Sequence, residues 1–142
     1  MIGILLVTHG GFADGLKSAV ELIAGKQEQF QTVGLYYGDS MEKFTDKILE
    51  TINNLNCDKG ILVFVDILGG SPSNVILKLL KDNNFKAIAG VNMPMVCHAV
   101  LSRKSDIELE ELFKDCLLVG KDALISLNNV FSDMQEDIKN DF

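Results

Sequence analysis

The stretch Ile2-Gly3-Ile4-Leu5-Leu6-Val7-Thr8-His9-Gly10-Gly11 decides the fold of this chain. From Ile2 to Val7 it is apolar almost without interruption, the composition of a strand buried on both faces, as in a parallel sheet. The paired glycines that follow mark a tight turn into a helix. His9 therefore stands at the carboxyl end of a central strand, where open α/β sheets place their ligands and their chemistry. Imidazole is suited to that place, because it exchanges a proton near neutral pH and can carry a transferred group on nitrogen.

Outward from this first strand, Ile2–Thr8, the pattern alternates. A helix is predicted over Phe12–Ala24, with Leu16, Ala19, Val20 and Ile23 on one face and Gly25 as its stop. A second strand is predicted at Thr32–Tyr37, and Asp39 or Ser40 caps a helix over Met41–Leu55 with a core stripe of Phe44, Ile48 and Ile52. A third strand, Gly60–Asp66, leads through Ile67-Leu68-Gly69-Gly70 to Ser71-Pro72. Serine at the cap with proline at the first helical position is a strong start signal, and this helix should run to Lys81. A fourth strand at Lys86–Val91 is followed by a helix from Asn92-Met93-Pro94 to Leu101, then by an amphipathic helix over Glu108–Leu118. From Lys121 the apolar residues Leu124, Ile125, Leu127 and Val130 fit neither the helix period nor the strand period. Strands alternating with helices give the βαβ pattern of a parallel sheet with helices on both faces.

The 142 residues favour one domain, 1–142, with its last stretch of about 129–142 peripheral. An apolar share of 47% and only two prolines argue against disorder. The net charge of −7 argues against a general nucleic-acid or anionic-membrane surface. No stretch reaches membrane-spanning length, and the N-terminus lacks the basic region and cleavage site of a secretory signal. Cys57, Cys97 and Cys116 have no CxxC spacing and read as free thiols of a cytoplasmic protein. A zinc site on Cys97 and His98 is disfavoured, because adjacent helical residues point ~100° apart.

Two apolar strands end in polar residues, His9 after the first and Asp66 after the third. If those strands are neighbours, the two groups meet at the switch point of the sheet. The carboxylate can then accept the Nδ1–H of the imidazole, which sets the tautomer, frees Nε2 as nucleophile and stabilises the cationic ring once Nε2 is bonded to phosphorus. Read as structural residues alone, His9 would cap a backbone carbonyl and Asp66 its loop. The Gly69-Gly70-Ser71-Pro72-Ser73-Asn74 stretch suits an anion, since glycines let the backbone come close and a helix start offers free N–H groups. Neither GxxxxGK[ST] nor GxGxxG is present, so no nucleotide or other cofactor is indicated. The constellation describes a histidine that accepts a small anionic group and passes it on.

Taken together, Thr8-His9-Gly10, Val65-Asp66…Gly69-Gly70-Ser71-Pro72-x-Asn74 and Ala89-Gly90-Val91-Asn92-Met93-Pro94-Met95 resemble the mannose-type IIA component of the bacterial phosphoenolpyruvate:sugar phosphotransferase system. The resemblance spans roughly residues 1–128. It implies an open parallel sheet in the order 2-1-3-4 with helices on both faces. It implies that His9 is phosphorylated at Nε2, that Asp66 orients it, and that Gly10, Gly69, Gly70 and Ser71 surround the phosphoryl group. The donor would be the histidine-containing phosphocarrier protein and the acceptor a IIB component, with the membrane met only through the transporter. Family members are homodimers in which a C-terminal strand crosses to the partner, and Lys121–Leu127 falls where that strand would lie. His98 departs from the family by standing where a glutamate is expected, and reads as a tolerated substitution. Two other readings stand beside this one: a regulatory domain whose phosphorylation state a partner reads, and the phosphocarrier subunit of a dihydroxyacetone kinase. The sugar is not legible, because specificity resides in membrane components.

Overall fold

The computed structural model describes residues 1–55, 57–82 and 84–140. Its strands are β1 (Gly3–His9), β2 (Phe30–Leu35), β3 (Ile61–Val65) and β4 (Phe85–Ala89), all parallel, in the order β2-β1-β3-β4. The helices are α1 (Phe12–Ala24), α2 (Met41–Asn54), α3 (Ser71–Leu79, extended by a 3₁₀ turn at Leu80–Asp82), α4 (Met93–Ser102), α5 (Leu109–Asp122) and α6 (Leu127–Asn140). The sheet order matches the expectation. From β1 the chain crosses to β2 on one side, and later reaches β3 on the other. The switch point therefore lies between β1 and β3, which are in register from Gly3↔Ile61 to Val7↔Val65.

The alternation of side chains along the strands divides the core into two layers. Ile2, Ile4 and Leu6 with Leu62 and Phe64 pack under α1, α4 and α5, against Val20, Val96, Val100 and Leu112. Leu5 and Val7 with Val63 and Val65 pack under α2 and α3, against Phe44, Ile48 and Ile76. Strands covered on both sides have to be apolar throughout, which is why β1 and β3 read so clearly in the sequence.

The structure shifts several boundaries. β2 begins at Phe30 and ends at Leu35, because Tyr36 and Asp39 form a turn: the Tyr36 N–H donates to the Asp39 carboxylate (2.8 Å), which leaves Ser40 to cap α2 by accepting from the Lys43 N–H (3.1 Å). The cap of α3 is Gly70, and Ser71 is its first residue. α5 continues to Asp122, so Lys121 and Asp122 are helical and the candidate crossing strand shrinks to residues 123–126. The tail beyond it is helical too: in α6 the apolar residues Leu127, Val130, Phe131, Met134 and Ile138 form a stripe with no buried residue. No helix among the described residues is long and apolar enough to cross a membrane.

Gly34 in β2 faces the turn after β1, and a Cβ there would overlap the Gly10 carbonyl oxygen and lie 2.9 Å from the Tyr36 ring. Gly34→Ala is therefore expected to destabilise the protein by about 1–3 kcal/mol, the usual cost of overpacking against rigid atoms. Gly15, inside α1 with open space around its would-be Cβ, sets the opposite case. Gly15→Ala should stabilise by about 0.5–1 kcal/mol through helix propensity. Urea unfolding of the two variants checks both signs.

Candidate active site

β1 and β3 deliver His9 and Asp66 to the switch point, and the two side chains meet there. One carboxylate oxygen, Asp66 Oδ2, accepts from the His9 backbone N–H (2.9 Å) and lies 2.8 Å from His9 Nδ1. The other, Oδ1, accepts from the Ile67 N–H (2.9 Å). Partial burial works against the charge of Asp66, but these hydrogen bonds from His9 and Ile67 outweigh it and hold the carboxyl below the ordinary carboxylate range. An ionised Asp66 is an acceptor only, so Nδ1 is the ring nitrogen that carries the proton and Nε2 is left for chemistry. The His9 side chain is about half exposed (49%), whereas Asp66 is mostly covered (12%).

The glycines around the ring have separate tasks. Gly10 takes φ of 52° and donates its N–H to the Leu35 carbonyl (2.7 Å), extending the β1–β2 pairing one residue past the strand. Gly69 takes φ of 94°, and its N–H donates to the Ser73 hydroxyl (3.0 Å). Both amides are thus engaged, that of Gly10 by β2 and that of Gly69 by its own turn. Gly70 lies against the imidazole: a Cβ on it would sit 2.7 Å from His9 Cε1 and 3.2 Å from Nε2. Ser71 follows at the start of α3 and lines a cleft with Met41 and Thr45 of α2 and with Asn74 and Lys78 of α3. The structure therefore brings His9, Asp66 and Gly70 into direct contact, sets Ser71 next in the chain, and gives Gly10 and Gly69 the sharp turns. Gly70, which touches the ring, is also the cap of α3, so the start of that helix lies beside the imidazole.

Three contributors escaped the sequence reading. Thr8, wholly buried, accepts from the Ala13 N–H (2.9 Å) and so serves α1 as a cap, because Gly11 at the cap position has no side chain to offer. The signal was weak, since the hydroxyl arrives from the strand and not from the residue before the helix. Ser73 closes the other turn, donating to the Gly70 carbonyl (2.9 Å) while it accepts from Gly69. Tyr36 lies against the Gly10–Gly11 turn. His98 sits on α4 facing α5, with Nε2 3.2 Å from the Ser102 hydroxyl and 3.7 Å from Asp115. Cys116 is buried, its thiol donating to the Met95 carbonyl (3.5 Å), and desolvation pushes its pKa up to about 12.

Comparison with known proteins places the chain in a family. The sequence profile of the EIIA-man family, described as "PTS system fructose IIA component", matches residues 3–117. The chain is 31% identical over 127 residues to the PTS system mannose-specific EIIAB component of Escherichia coli K12, covering 89% of this chain but only 39% of that protein. It is 27% identical to the PTS system fructose-specific EIIA component of Bacillus subtilis, covering 81% of this chain and 79% of that one. Among solved structures, the phosphotransferase system component EIIA from Streptococcus agalactiae superposes with a TM-score of 0.82 at 32% identity, covering 91% of this chain and 99% of that one. With a profile match across most of its length, on a fold whose switch point holds a carboxylate-bound histidine, the chain belongs to the EIIA-man family of phosphotransferase-system IIA components.

Proposed function

We propose that this protein is a phosphohistidine carrier in sugar uptake, loaded by the histidine-containing phosphocarrier protein and unloaded by a IIB component in the cytoplasm. The observation that carries the reading is the double hold of Asp66 Oδ2 on His9, through the backbone N–H and through Nδ1. In the transfer, the Nε2 lone pair forms a bond to phosphorus while the bond from phosphorus to the donor's nitrogen breaks, its electrons remaining on the donor's ring. The Nδ1 proton stays in place, and Asp66 compensates the positive charge that the phosphorylated imidazole acquires. The return step is the same event with the acceptor as nucleophile. Proteins have to dock for this, and the half-exposed ring is set among exposed apolar side chains, Phe12 and Tyr36 on one side and Ile67 and Leu68 on the other.

His9→Ala is expected to abolish labelling by phosphoenolpyruvate, its kinase and the phosphocarrier protein, with the fold intact. The wild-type label should be acid-labile and base-stable. Full labelling of His9→Ala would remove His9 from its role. Asp66→Asn should fold but transfer more slowly by about tenfold or more, in line with the ~1.5–3 kcal/mol of a charge-assisted hydrogen bond. An unchanged rate of transfer to IIB would reduce Asp66 to a loop cap.

The same reading includes a homodimer formed through residues 123–126. Among the described residues β4 is an edge strand, paired on one side only, and apolar clefts flank it on both faces: Ile76, Leu77 and Leu80 on one, Met95 and Leu117 on the other. Leu124 (88% exposed) and Ile125 (65% exposed) are adjacent, so a strand laid antiparallel on a partner's β4 would send them to opposite faces, one toward each cleft. The exchange would be reciprocal, as a two-fold axis requires. Sedimentation at tens of micromolar should give dimers for the wild type and monomers for a Leu124→Asp/Ile125→Asp variant. A wild-type monomer under those conditions would overturn the exchange.

A further inference from the structure

We propose that Thr8 and Ser73 are positioning residues for phosphoryl transfer, a pair of buried hydroxyls that stiffen the two glycine turns on either side of His9. The inference rests on the carrier reading above. Among the described residues only Thr8, Ser73 and Arg103 are buried polar or charged side chains, and two of these three flank the site. Each of the two hydroxyls makes the same pair of bonds. Thr8 Oγ1 accepts from the Ala13 N–H (2.9 Å) and donates to the His9 carbonyl (3.1 Å). Ser73 Oγ accepts from the Gly69 N–H (3.0 Å) and donates to the Gly70 carbonyl (2.9 Å). One hydroxyl thus closes the segment from Thr8 to Ala13 that contains His9, Gly10 and Gly11, and the other closes the turn whose Gly70 lies against the imidazole.

The need for such braces follows from the glycines. Gly10 and Gly69 take φ of 52° and 94°, which glycine adopts readily, but glycine also carries the largest backbone freedom of any residue. The His9 ring is half exposed, so packing restrains it on one side only. Asp66 fixes Nδ1, but where Nε2 points relative to the α1 and α3 starts depends on the two turns. Transfer rates fall steeply when a reacting atom is displaced by about 1 Å. A buried hydroxyl bonded to both an N–H and a C=O of the turn restrains it without occupying the space that the phosphoryl group and the partner protein need.

The test uses Thr8→Val, which keeps the side-chain shape and removes the hydroxyl, and Thr8→Ser, which keeps the hydroxyl. Ser73→Ala and Ser73→Thr form the equivalent pair. Thr51→Val serves as control, since Thr51 makes a comparable bond to the Lys47 carbonyl (2.7 Å) on the exposed face of α2. Phosphoryl transfer between the phosphocarrier protein and each variant is followed under steady state, with melting temperature measured in parallel. Thr8→Val and Ser73→Ala should each lower kcat about tenfold with KM unchanged, because the docking face is intact, while Thr8→Ser and Ser73→Thr restore it and Thr51→Val leaves it alone. A fall in melting temperature with kcat untouched would assign both hydroxyls to stability alone and overturn the proposal, as would a Thr8→Ser protein as slow as Thr8→Val. If wild-type protein is not labelled at His9, it is the carrier reading that fails, and that result is obtained before any variant is compared.

Discussion

Asp66 is the point at which the two halves of the sheet are joined into a site. Its Oδ2 takes two hydrogen bonds from a single residue, one from the main chain and one from the ring of His9. The main-chain bond ties the end of β1 to the end of β3 just beyond their last paired residues, Val7 and Val65. The ring bond then measures the imidazole from that fixed point. The N–H of Ile67 on the other oxygen keeps the carboxylate itself from turning. A displacement of β1 against β3 would break both bonds to His9 together. The apolar layers that hold the strands in register, Leu5, Val7, Val63 and Val65 on one face and Ile4, Leu6, Leu62 and Phe64 on the other, therefore maintain the geometry of the His9–Asp66 pair as well as the fold.

The parts of this arrangement that were legible in the sequence are those with periodic or punctuated signals. β1 and β3 are unbroken apolar runs, and α1 is bracketed by glycines at both ends. His9 and Asp66 stood out because each breaks an apolar run at a strand end. Thr8 and Ser73 did not stand out, because a hydroxyl is as ordinary in a turn as in a core. What makes these two unusual is tertiary: each is buried and bonded twice. Serine before proline is a familiar cap pattern and points to Ser71 as the cap, but the chain turns one residue earlier and Gly70 takes that position. Gly34 was equally silent, its constraint coming from the Gly10 carbonyl on the neighbouring strand.

The tail shows the reverse problem. Leu127, Val130, Phe131, Met134 and Ile138 recur at helical spacing, yet adjoining Leu124 and Ile125 spoil the period when all are read as one segment. They belong to two elements, a short non-helical connection at 123–126 and the helix α6. An amphipathic helix is ordinarily recognised by the core it covers, and α6 buries none of its own residues. Its stripe and the uncovered edge of β4 are two unsatisfied apolar surfaces in one molecule. A partner that covers both would bury hydrophobic side chains that the fold leaves exposed.

The two ends of the sheet solve opposite problems. At the amino end the Arg103 guanidinium, 3% exposed, follows the last turn of α4 and donates to the carbonyls of Ile2 (2.9 Å), Gln29 (3.0 Å) and Glu28. A buried cation lodged among main-chain acceptors at a helix C-terminus fixes three segments at once. It can be sealed from water because nothing has to reach it. At the carboxyl end the pair of His9 and Asp66 is left half open, as the proposed exchange of a phosphoryl group with another protein requires. Packing is therefore available to only one side of the imidazole, and directional bonds have to supply the rest of the restraint. That is why hydrogen bonds to backbone groups, from a carboxylate and two hydroxyls, concentrate in the turns of this end, and why side chains as small as glycine are required between them.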